Sequence, residues 1–271
     1  MVYCWICIIK NPKSVRVKPT NTKIIVVSKN ENSKSIKYIL DTFAEQEVCL
    51  ISPKSKDSIY ERDGLVKIND DEILNFNHLK SDLKIDRFGW YYQQFLKIES
   101  ILQLDGENFF IIDGDSFVRG LLAQEDVVYT TGRPTHKSYE HFYKKIFPDD
   151  RLSGISFVTN QMLFNKSKVK EMVGAIEAGS HTNWIKVISA LIQENTSFKF
   201  SEYQTYAEYV LNRYDVPVKK IKVFRRLDLV KDKTEKALKK YDVIAFEKHH
   251  KIGIFRLMRA RLFYFLGRNL G

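Results

Sequence analysis

The sequence predicts an α/β domain with parallel strands, and three features support this fold class. A run rich in β-branched residues at 23–28 precedes an amphipathic helix pattern, and a second apolar run follows at 48–52. Strand, helix, strand in this order is typical of a parallel α/β sheet. A third apolar run, at 109–112, ends abruptly at an Asp-Gly-Asp motif. We therefore expect a buried sheet with polar residues at its carboxyl edge, where α/β proteins bind their ligands.

The loop after the first strand lies on this ligand side of the predicted sheet. Ser28, Lys29 and Asn30 are therefore candidate nucleotide contacts, and an ordinary polar loop is the alternative. A short strand at 65–68 leads into the polar segment 69–71. This segment either binds a ribose or a base, or caps the helix that follows.

The segment 87–97 has helix spacing from Trp90 onward, with Trp90, Gln94 and Lys97 near one face. Two glutamines and a lysine among aromatic residues are unusual for a helix that only packs. A lysine directed at the ligand edge of the sheet suits a phosphate group. A half-buried helix with a snorkelling lysine is the competing interpretation.

Asp113 and Asp115 follow the third strand and flank Gly114, which lets the backbone turn. Two carboxylates this close can share one hard divalent cation whose other ligands are phosphate oxygens. The alternative is a solvated Asp-Gly turn at the end of a strand.

The second half of the chain alternates strands and helices less regularly. We predict strands at 127–131 and 242–247, and a strand or a strand pair from 155–159 and 162–165. We also predict helices at 168–178 and 184–193, and at 135–153 a long loop with a short helix that is a candidate substrate lid. A further helix begins at the N-cap Ser201 and carries Glu202 in its first turn. Its packing stripe is predicted to be Tyr203, Tyr206 and Val210.

Size and composition indicate a globular protein. The 271 residues, 44% of them hydrophobic, suffice for one large or two small domains with a substantial core. Three cysteines, Cys4, Cys7 and Cys49, are too few for a disulfide framework and fit a reducing cytoplasm. The apolar start of the chain is too short to span a bilayer, so we interpret residues 1–21 as a leader or an edge strand. We expect no transmembrane helix.

The net charge of +11 comes from the C-terminal part of the chain. Residues 216–271 contain 16 Lys and Arg against 5 Asp and Glu, whereas the first 215 residues contain 28 of each. Within this part, residues 251–271 predict an amphipathic helix whose apolar stripe is rimmed by arginines. Such a helix lies flat on an anionic membrane surface. The alternative is a helix that docks on the core with its arginines in solvent.

Four ordered motifs resemble one known architecture. They are Arg87-x-Gly89-Trp90-Tyr91-x-Gln93-Gln94-x-x-Lys97, Asp113-Gly114-Asp115, Ser156-Phe157-Val158-Thr159 and Ser201-Glu202-Tyr203-x-x-Tyr206. Over about 22–250 the chain is similar to a bacterial family of transferase-like proteins in the GT-A class of nucleotide-sugar glycosyltransferases. The resemblance implies one GT-A-like domain with a mixed central sheet, a Rossmann-like nucleotide-binding half at 22–118 and an acceptor half at 119–250.

The resemblance also implies a metal site. Asp115 binds a Mn²⁺ or Mg²⁺ ion directly, while Asp113 holds the ribose or a metal-bound water. His249 or His250 supplies a late ligand. The ion assists departure of the nucleotide diphosphate as a Lewis acid.

The remaining roles concern the donor and the acceptor. Lys97 and Arg87 place positive charge near the phosphates, and Gln94 and Ser28 also belong to the donor site. Glu202 is the candidate general base if the reaction inverts the anomeric centre. The acceptor is a glycan or a lipid-linked glycan of surface-polysaccharide synthesis. The enzyme is expected in the cytoplasm, peripheral at the inner face of the cell membrane, with no nucleic-acid partner.

Two other functions compete with this one. A phosphatase of the haloacid-dehalogenase type would use Asp113 as nucleophile and Asp115 as acid and base, together with Thr130 or Thr131 and the acidic pair 149–150. A non-enzymatic module would bind nucleic acid or a membrane through the basic tail. The neutral charge of the first 215 residues and the lack of a nucleic-acid-binding motif argue against nucleic acid.

Overall fold

A computed structural model describes residues 22–120, 127–180, 182–226, 238 and 240–246. The leader at 1–21 and the basic helix at 251–271 that the sequence predicts lie outside these residues, as do His249 and His250. In the part of the chain that is described, no helix is long and apolar enough to cross a membrane.

The described residues form strands and helices in alternation over most of their length. The strands are β1 Thr22–Val27, β2 Val48–Ser52, β3 Leu65–Asn69, β4 Asn108–Asp113, β5 Ser116–Val118, β6 Val128–Thr130, β7 Gln161–Asn165, β8 Val218–Lys220, β9 Val223–Arg226 and β10 Val243–Phe246. The helices are α1 Lys34–Thr42, α2 Phe76–Leu83, α3 Phe88–Gln103, α4 Lys137–Ile146, α5 Lys166–Glu177, α6 Trp184–Glu194 and α7 Glu202–Arg213.

The central sheet has five strands in the order β3-β2-β1-β4-β7. The first four are parallel, and β7 pairs with β4 in the antiparallel direction. The α/β class and the mixed central sheet predicted from the sequence are confirmed. Val27 of β1 lies opposite Asp113 of β4 in the register. The residues that follow, Ser28 and Gly114, therefore meet at the carboxyl edge of the sheet.

The core is built from the apolar runs read in the sequence. Strands β1, β2 and β4 are buried along nearly their whole length, as expected for parallel strands covered on both faces. Helix α1 begins where the Ser33 side chain accepts a hydrogen bond from the Ile36 N–H, and it buries Ile36 and Ile39. Helix α3 buries Phe95 and Ile98. The remaining face of α3 reaches the carboxyl edge.

A small sheet brings the second half of the chain to the same edge. Strand β5 follows the Asp-Gly-Asp motif directly and pairs with β10 in the antiparallel direction, and β10 pairs in parallel with β9. Ala245 of β10 lies opposite Ser116. Strand β10 confirms the late strand expected at 242–247. Strands β6 and β8 form a separate two-stranded sheet.

Of the strand or strand pair expected from 155–159 and 162–165, only the second segment forms a strand, β7, and at 155–159 there is only an isolated bridge at Ile155. The side chain of Gln204 in α7 replaces the hydrogen bonds of a sheet. Its amide oxygen accepts from the Phe157 N–H at 2.9 Å, and its amide nitrogen donates to the Ile155 carbonyl at 3.0 Å. Strand β8 was not predicted from the sequence, because its three residues are all exposed and show no apolar alternation.

Candidate functional site

An open cleft of about 1710 Å³ lies at the carboxyl edge of the central sheet. Seven cationic side chains line it, against four acidic ones: Lys29, Lys34, Lys80, Arg87, Lys97, Lys199 and Arg225, and Asp86, Asp113, Asp115 and Glu202. Pockets for small molecules usually measure about 300–1,000 Å³. The cleft therefore has room for two substrates, and its excess of positive charge favours anionic ones.

A buried ion cluster forms the centre of the cleft. Lys97 Nζ donates hydrogen bonds to Asp113 Oδ1, to Glu202 Oε1 at 2.5 Å and to the Tyr203 hydroxyl at 3.3 Å. These acceptors use all three N–H groups of the ammonium. The Lys97 and Glu202 side chains are 7% and 3% exposed. Lys97 therefore has no N–H group left to donate to a ligand.

Asp113 is held on both of its oxygens. The Tyr203 hydroxyl donates to Oδ1 at 2.9 Å, and Asn160 Nδ2 donates to Oδ2 at 2.9 Å. The Asp113 N–H also donates to the Asn160 carbonyl at 3.0 Å. Asn160 has a left-handed backbone with φ 61°, which asparagine adopts more readily than most residues. Of the roughly four acceptor positions of a carboxylate, about one is left on Asp113.

The electrostatics of the cluster keep Lys97 charged. Burial lowers the pKa of Lys97, but the carboxylates of Asp113 and Glu202 outweigh burial and hold this pKa above its usual value. Burial raises the pKa of Glu202, and the Lys97 charge opposes that rise without cancelling it. Burial and the two carboxylates raise the pKa of Tyr203. Tyr203 therefore stays protonated and donates to Asp113.

The turn between Asp113 and Asp115 packs tightly against the end of β1. The Gly114 N–H donates to the Val27 carbonyl at 2.8 Å, and the Ser35 hydroxyl donates to the Gly114 carbonyl at 2.6 Å. A Cβ on Gly114 would collide with Ser28, at 2.6 Å from its Oγ and 2.9 Å from its Cα. Only glycine allows this approach.

We therefore expect Gly114→Ala to lower the free energy of unfolding by about 1–3 kcal/mol, because the end of β1 must move away. Urea denaturation measures the change. Gly174→Ala in α5 is the matched control, since a Cβ there meets nothing within 4 Å. The control should be neutral or stabilising by up to about 1 kcal/mol. Equal stability of the two variants would contradict the close packing of Gly114 on Ser28.

The start of α3 forms one wall of the cleft. Arg87 precedes this helix with a left-handed backbone, φ 55°, and its guanidinium carbon lies 5.1 Å from the centre of the Trp90 ring. Trp90, Gln94 and Lys97 line the cleft as one helical face, as the spacing predicts. The Gln94 side-chain carbonyl accepts from the Glu202 N–H at 3.3 Å, which ties α3 to α7.

Every described residue to which the resemblance gives a role in the glycosyltransferase site lines this one cleft. The set is Ser28, Arg87, Gln94, Lys97, Asp113, Asp115 and Glu202. Asp115 is exposed there. The proposed ligands His249 and His250 lie outside the described residues. Within the described residues, no group of three or more His, Cys, Asp or Glu could hold a metal ion.

The segment considered for a ribose or base contact and the residues that the phosphatase would add to the two aspartates do not line the cleft. Asn69 and Glu72 form a capping box, and the segment 69–71 does not line the cleft, so the capping interpretation is correct. Thr130 donates to the Ser156 carbonyl, and Asp150 accepts from Arg213 at 2.7 Å. Neither Thr130 nor Asp150 lines the cleft, so the residue set of the phosphatase is not brought together.

Two contacts of Asp113 were missed in the sequence. Tyr203 was predicted to pack only, and its ring is indeed buried, but its hydroxyl contacts Asp113 and Lys97. Asn160 was not singled out. The signal that could have found it is an asparagine between a loop and a strand, a position where left-handed backbone is common.

Comparisons with known proteins give a family and a distant structural likeness. The model of DUF6492, a family of unknown function, matches residues 15–250. No curated protein matches the chain. A structure of the galactosyltransferase LgtC with donor and acceptor sugar analogues is 11% identical, with 85% of this chain and 90% of that chain covered and a TM-score of 0.44. A structure of an active-site mutant of LgtC is also 11% identical, with 88% and 94% covered and a TM-score of 0.48.

Proposed function

The chain belongs to DUF6492, a family of unknown function, and we propose that it is a nucleotide-sugar glycosyltransferase of the GT-A type. It transfers a sugar to a glycan or a lipid-linked glycan in surface-polysaccharide synthesis. One observation carries the proposal. Asp113 is the last residue of the buried parallel strand β4 and Asp115 lies two residues beyond it, inside a cleft with excess positive charge.

The donor side of the cleft is the side built from β1, α1 and α3. Lys29 and Lys34 line it, and Lys29 Nζ lies 3.8 Å from where a Gly89 side chain would begin. Lys29 and Arg87 thus belong to neighbouring parts of the wall. Two or three cations at this position suit a nucleotide diphosphate. Arg87 contributes a planar guanidinium held against Trp90.

Asp113 and Asp115 fit a divalent metal ion. Mg²⁺ and ions like it are bound by one or two carboxylates together with substrate phosphates and water. Exposed Asp115 is the proposed direct ligand, and Asp113 offers its remaining acceptor position. When bound, Mn²⁺ or Mg²⁺ neutralises the leaving diphosphate.

His249 or His250 is the proposed third protein ligand. The register of β10 with β5 ends where Ala245 pairs with Ser116, and Phe246 and Asp115 are the next residues of the two segments. His249 follows Phe246 by three residues, a reach of about 10 Å of extended chain. Chain length therefore permits a histidine ligand close to Asp115.

Glu202 is the proposed general base if the transfer inverts the anomeric centre. It lines the cleft, and its raised pKa brings it closer to the working pH of a base. If the transfer retains configuration, no base is needed and Glu202 serves to hold Lys97. The peripheral membrane site of action at the inner face is proposed from the basic segment 251–271 alone.

Thermal stabilisation tests the proposed donor site. Nucleoside diphosphates and nucleotide-sugars are screened with Mn²⁺ or with EDTA, because only ligands of the native state raise the melting temperature. We expect at least one nucleotide to stabilise the protein and Mn²⁺ to enlarge the effect. We expect the same nucleotide-sugar to be turned over, with release of the nucleoside diphosphate. Release of inorganic phosphate from simple monoesters, with no nucleotide effect, would contradict the proposal.

A further inference from the structure

The two carboxylate oxygens of Asp113 have different surroundings. Oδ1 accepts hydrogen bonds from Lys97 Nζ and from the Tyr203 hydroxyl, the latter at 2.9 Å. Among the described residues, Oδ2 accepts one hydrogen bond, from Asn160 Nδ2 at 2.9 Å. Each carboxylate oxygen has about two acceptor positions, so Oδ1 is filled and Oδ2 keeps one. The side chain of Asp113 is 21% exposed and lines the cleft, where a ligand has access to it.

The groups that hold Asp113 are themselves fixed. Tyr203 is buried, its ring centre lies 6.1 Å from that of Phe164, and the Lys97 ammonium lies 4.5 Å from the same ring centre. The Asn160 carbonyl accepts from the Asp113 N–H at 3.0 Å, so backbone and side chain of Asn160 hold the same residue. Rotation of the carboxylate would break hydrogen bonds on both oxygens. Asp113 therefore offers one oxygen to a ligand and cannot readily offer two.

Divalent cations differ in how many carboxylate oxygens they take. Mg²⁺ demands nearly octahedral geometry, keeps several waters and needs only one or two carboxylates. Ca²⁺ takes roughly 6–8 oxygen ligands in flexible geometry, and carboxylates can give it both of their oxygens. Mn²⁺ also accepts octahedral oxygen ligands. A carboxylate with one oxygen closed therefore suits Mg²⁺ and Mn²⁺ better than Ca²⁺.

We propose that Asp113 offers a cation Oδ2 alone, and that Tyr203 is the positioning residue that, together with Lys97, keeps Oδ1 closed. The site then selects Mg²⁺ or Mn²⁺ over Ca²⁺. This inference rests on the metal site of the proposed transferase and adds the physical basis on which that site selects its ion. Tyr203 acts through Asp113, by filling an acceptor position that a larger ion needs.

Two substitutions open the two oxygens separately. Tyr203→Phe removes the hydroxyl and frees a position on Oδ1. Asn160→Gly frees the second position on Oδ2, and glycine tolerates the left-handed backbone at this residue, φ 61°. Tyr206→Phe is the matched control in the same helix. Its ring also packs on Phe164, but its hydroxyl accepts from the Asn165 N–H.

Cation binding is measured on the full chain without nucleotide. The electron paramagnetic resonance signal of free Mn²⁺ reports Mn²⁺ binding, and Mg²⁺ and Ca²⁺ are added as competitors. Urea denaturation gives the stability of each variant, so that a general loss of stability is separated from a change in ion preference. Nucleotide release is measured in parallel with each of the three ions.

We expect wild type to bind Mn²⁺ and Mg²⁺ more tightly than Ca²⁺. Tyr203→Phe should weaken Mn²⁺ binding about tenfold, as the loss of a hydrogen bond to a metal ligand does, and should remove most of the preference over Ca²⁺. Asn160→Gly should weaken Mn²⁺ binding by a similar factor but keep the preference, because Oδ1 stays closed. Tyr206→Phe should change neither quantity.

Equal affinity of wild type for Ca²⁺ and Mn²⁺, or an unaltered preference in Tyr203→Phe, would overturn the inference. Nucleotide release that requires a cation would then leave the transferase standing. If Tyr203→Phe does not fold, Asn160→Gly decides, since loss of the preference in that variant would also overturn the inference. An ion preference that depends on Tyr203, without nucleotide turnover in any of the three ions, would instead overturn the transferase.

Discussion

Lys97→Met is expected to lower the free energy of unfolding by about 3–5 kcal/mol, because the side chain keeps its shape but leaves two carboxylates without their cation. Asp113 and Glu202 both bond to Lys97, and Glu202 is almost fully buried. Chemical denaturation measures the loss. Lys37→Met is the matched control, since the Lys37–Asp41 pair is exposed and solvent screening leaves it little effect on stability.

The defect of Lys97→Met should depend on pH in a defined direction. Burial raises the pKa of Glu202, and Lys97 lowers it, so removing Lys97 raises it further. The folded variant then binds a proton more tightly than the unfolded chain does. Its stability is therefore greatest below the unfolded pKa of glutamate and declines as pH rises through the folded value. The deficit relative to wild type should shrink as pH falls from 7 toward 5.

A double variant separates charge from packing. Lys97→Met with Glu202→Gln leaves Asp113 as the single charge of the cluster, still bonded to Tyr203 and Asn160. We expect the double variant to recover part of the lost stability. Its remaining deficit relative to wild type should no longer shrink as pH falls from 7 toward 5. A Lys97→Met protein as stable as wild type at pH 7 would show that the cluster is not an ion cluster in solution.

Asp115→Asn is expected to lower activity strongly and to change stability little. Asp115 is exposed in the cleft, so its substitution should change the free energy of unfolding by less than about 0.5 kcal/mol. Donor turnover should fall by about 10²- to 10³-fold, comparable with the loss of one electrostatic contact to developing charge. Nucleotide release and urea denaturation of the same preparation measure both quantities. Full activity of the variant would remove Asp115 from the site.

Local periodicity predicted most of what positions the site. The buried strands before Ser28 and Asp113 showed as apolar runs, and the face of α3 that carries Trp90, Gln94 and Lys97 showed as helix spacing. These signals are local, because the residues that produce them lie within one element. The parallel direction of β1 and β2 then followed from strand, helix and strand in sequence.

Contacts between distant segments were not predictable in the same way. Tyr203 lies 90 residues from Asp113 along the chain. Its ring packs in the core, so its position in the helix pattern does not show that its hydroxyl contacts a carboxylate. The Gln204 amide replaces a sheet ladder at Ile155 and Phe157, 49 and 47 residues away. The spacing of apolar residues along the chain does not reveal contacts of this kind. Arg225 reaches the cleft on β9, a short strand with two charged residues.

The central claim is that the two aspartates bind a cation and a diphosphate together. Calorimetric titration tests it most directly. A nucleoside diphosphate is titrated into the wild-type protein and into Asp115→Asn, each with Mn²⁺ and with EDTA. We predict tight binding only to wild type with Mn²⁺, and at least tenfold weaker binding in the other three combinations. Equal affinity in all four combinations, or no nucleotide binding to wild type with Mn²⁺, would contradict joint binding of a cation and a diphosphate by the two aspartates.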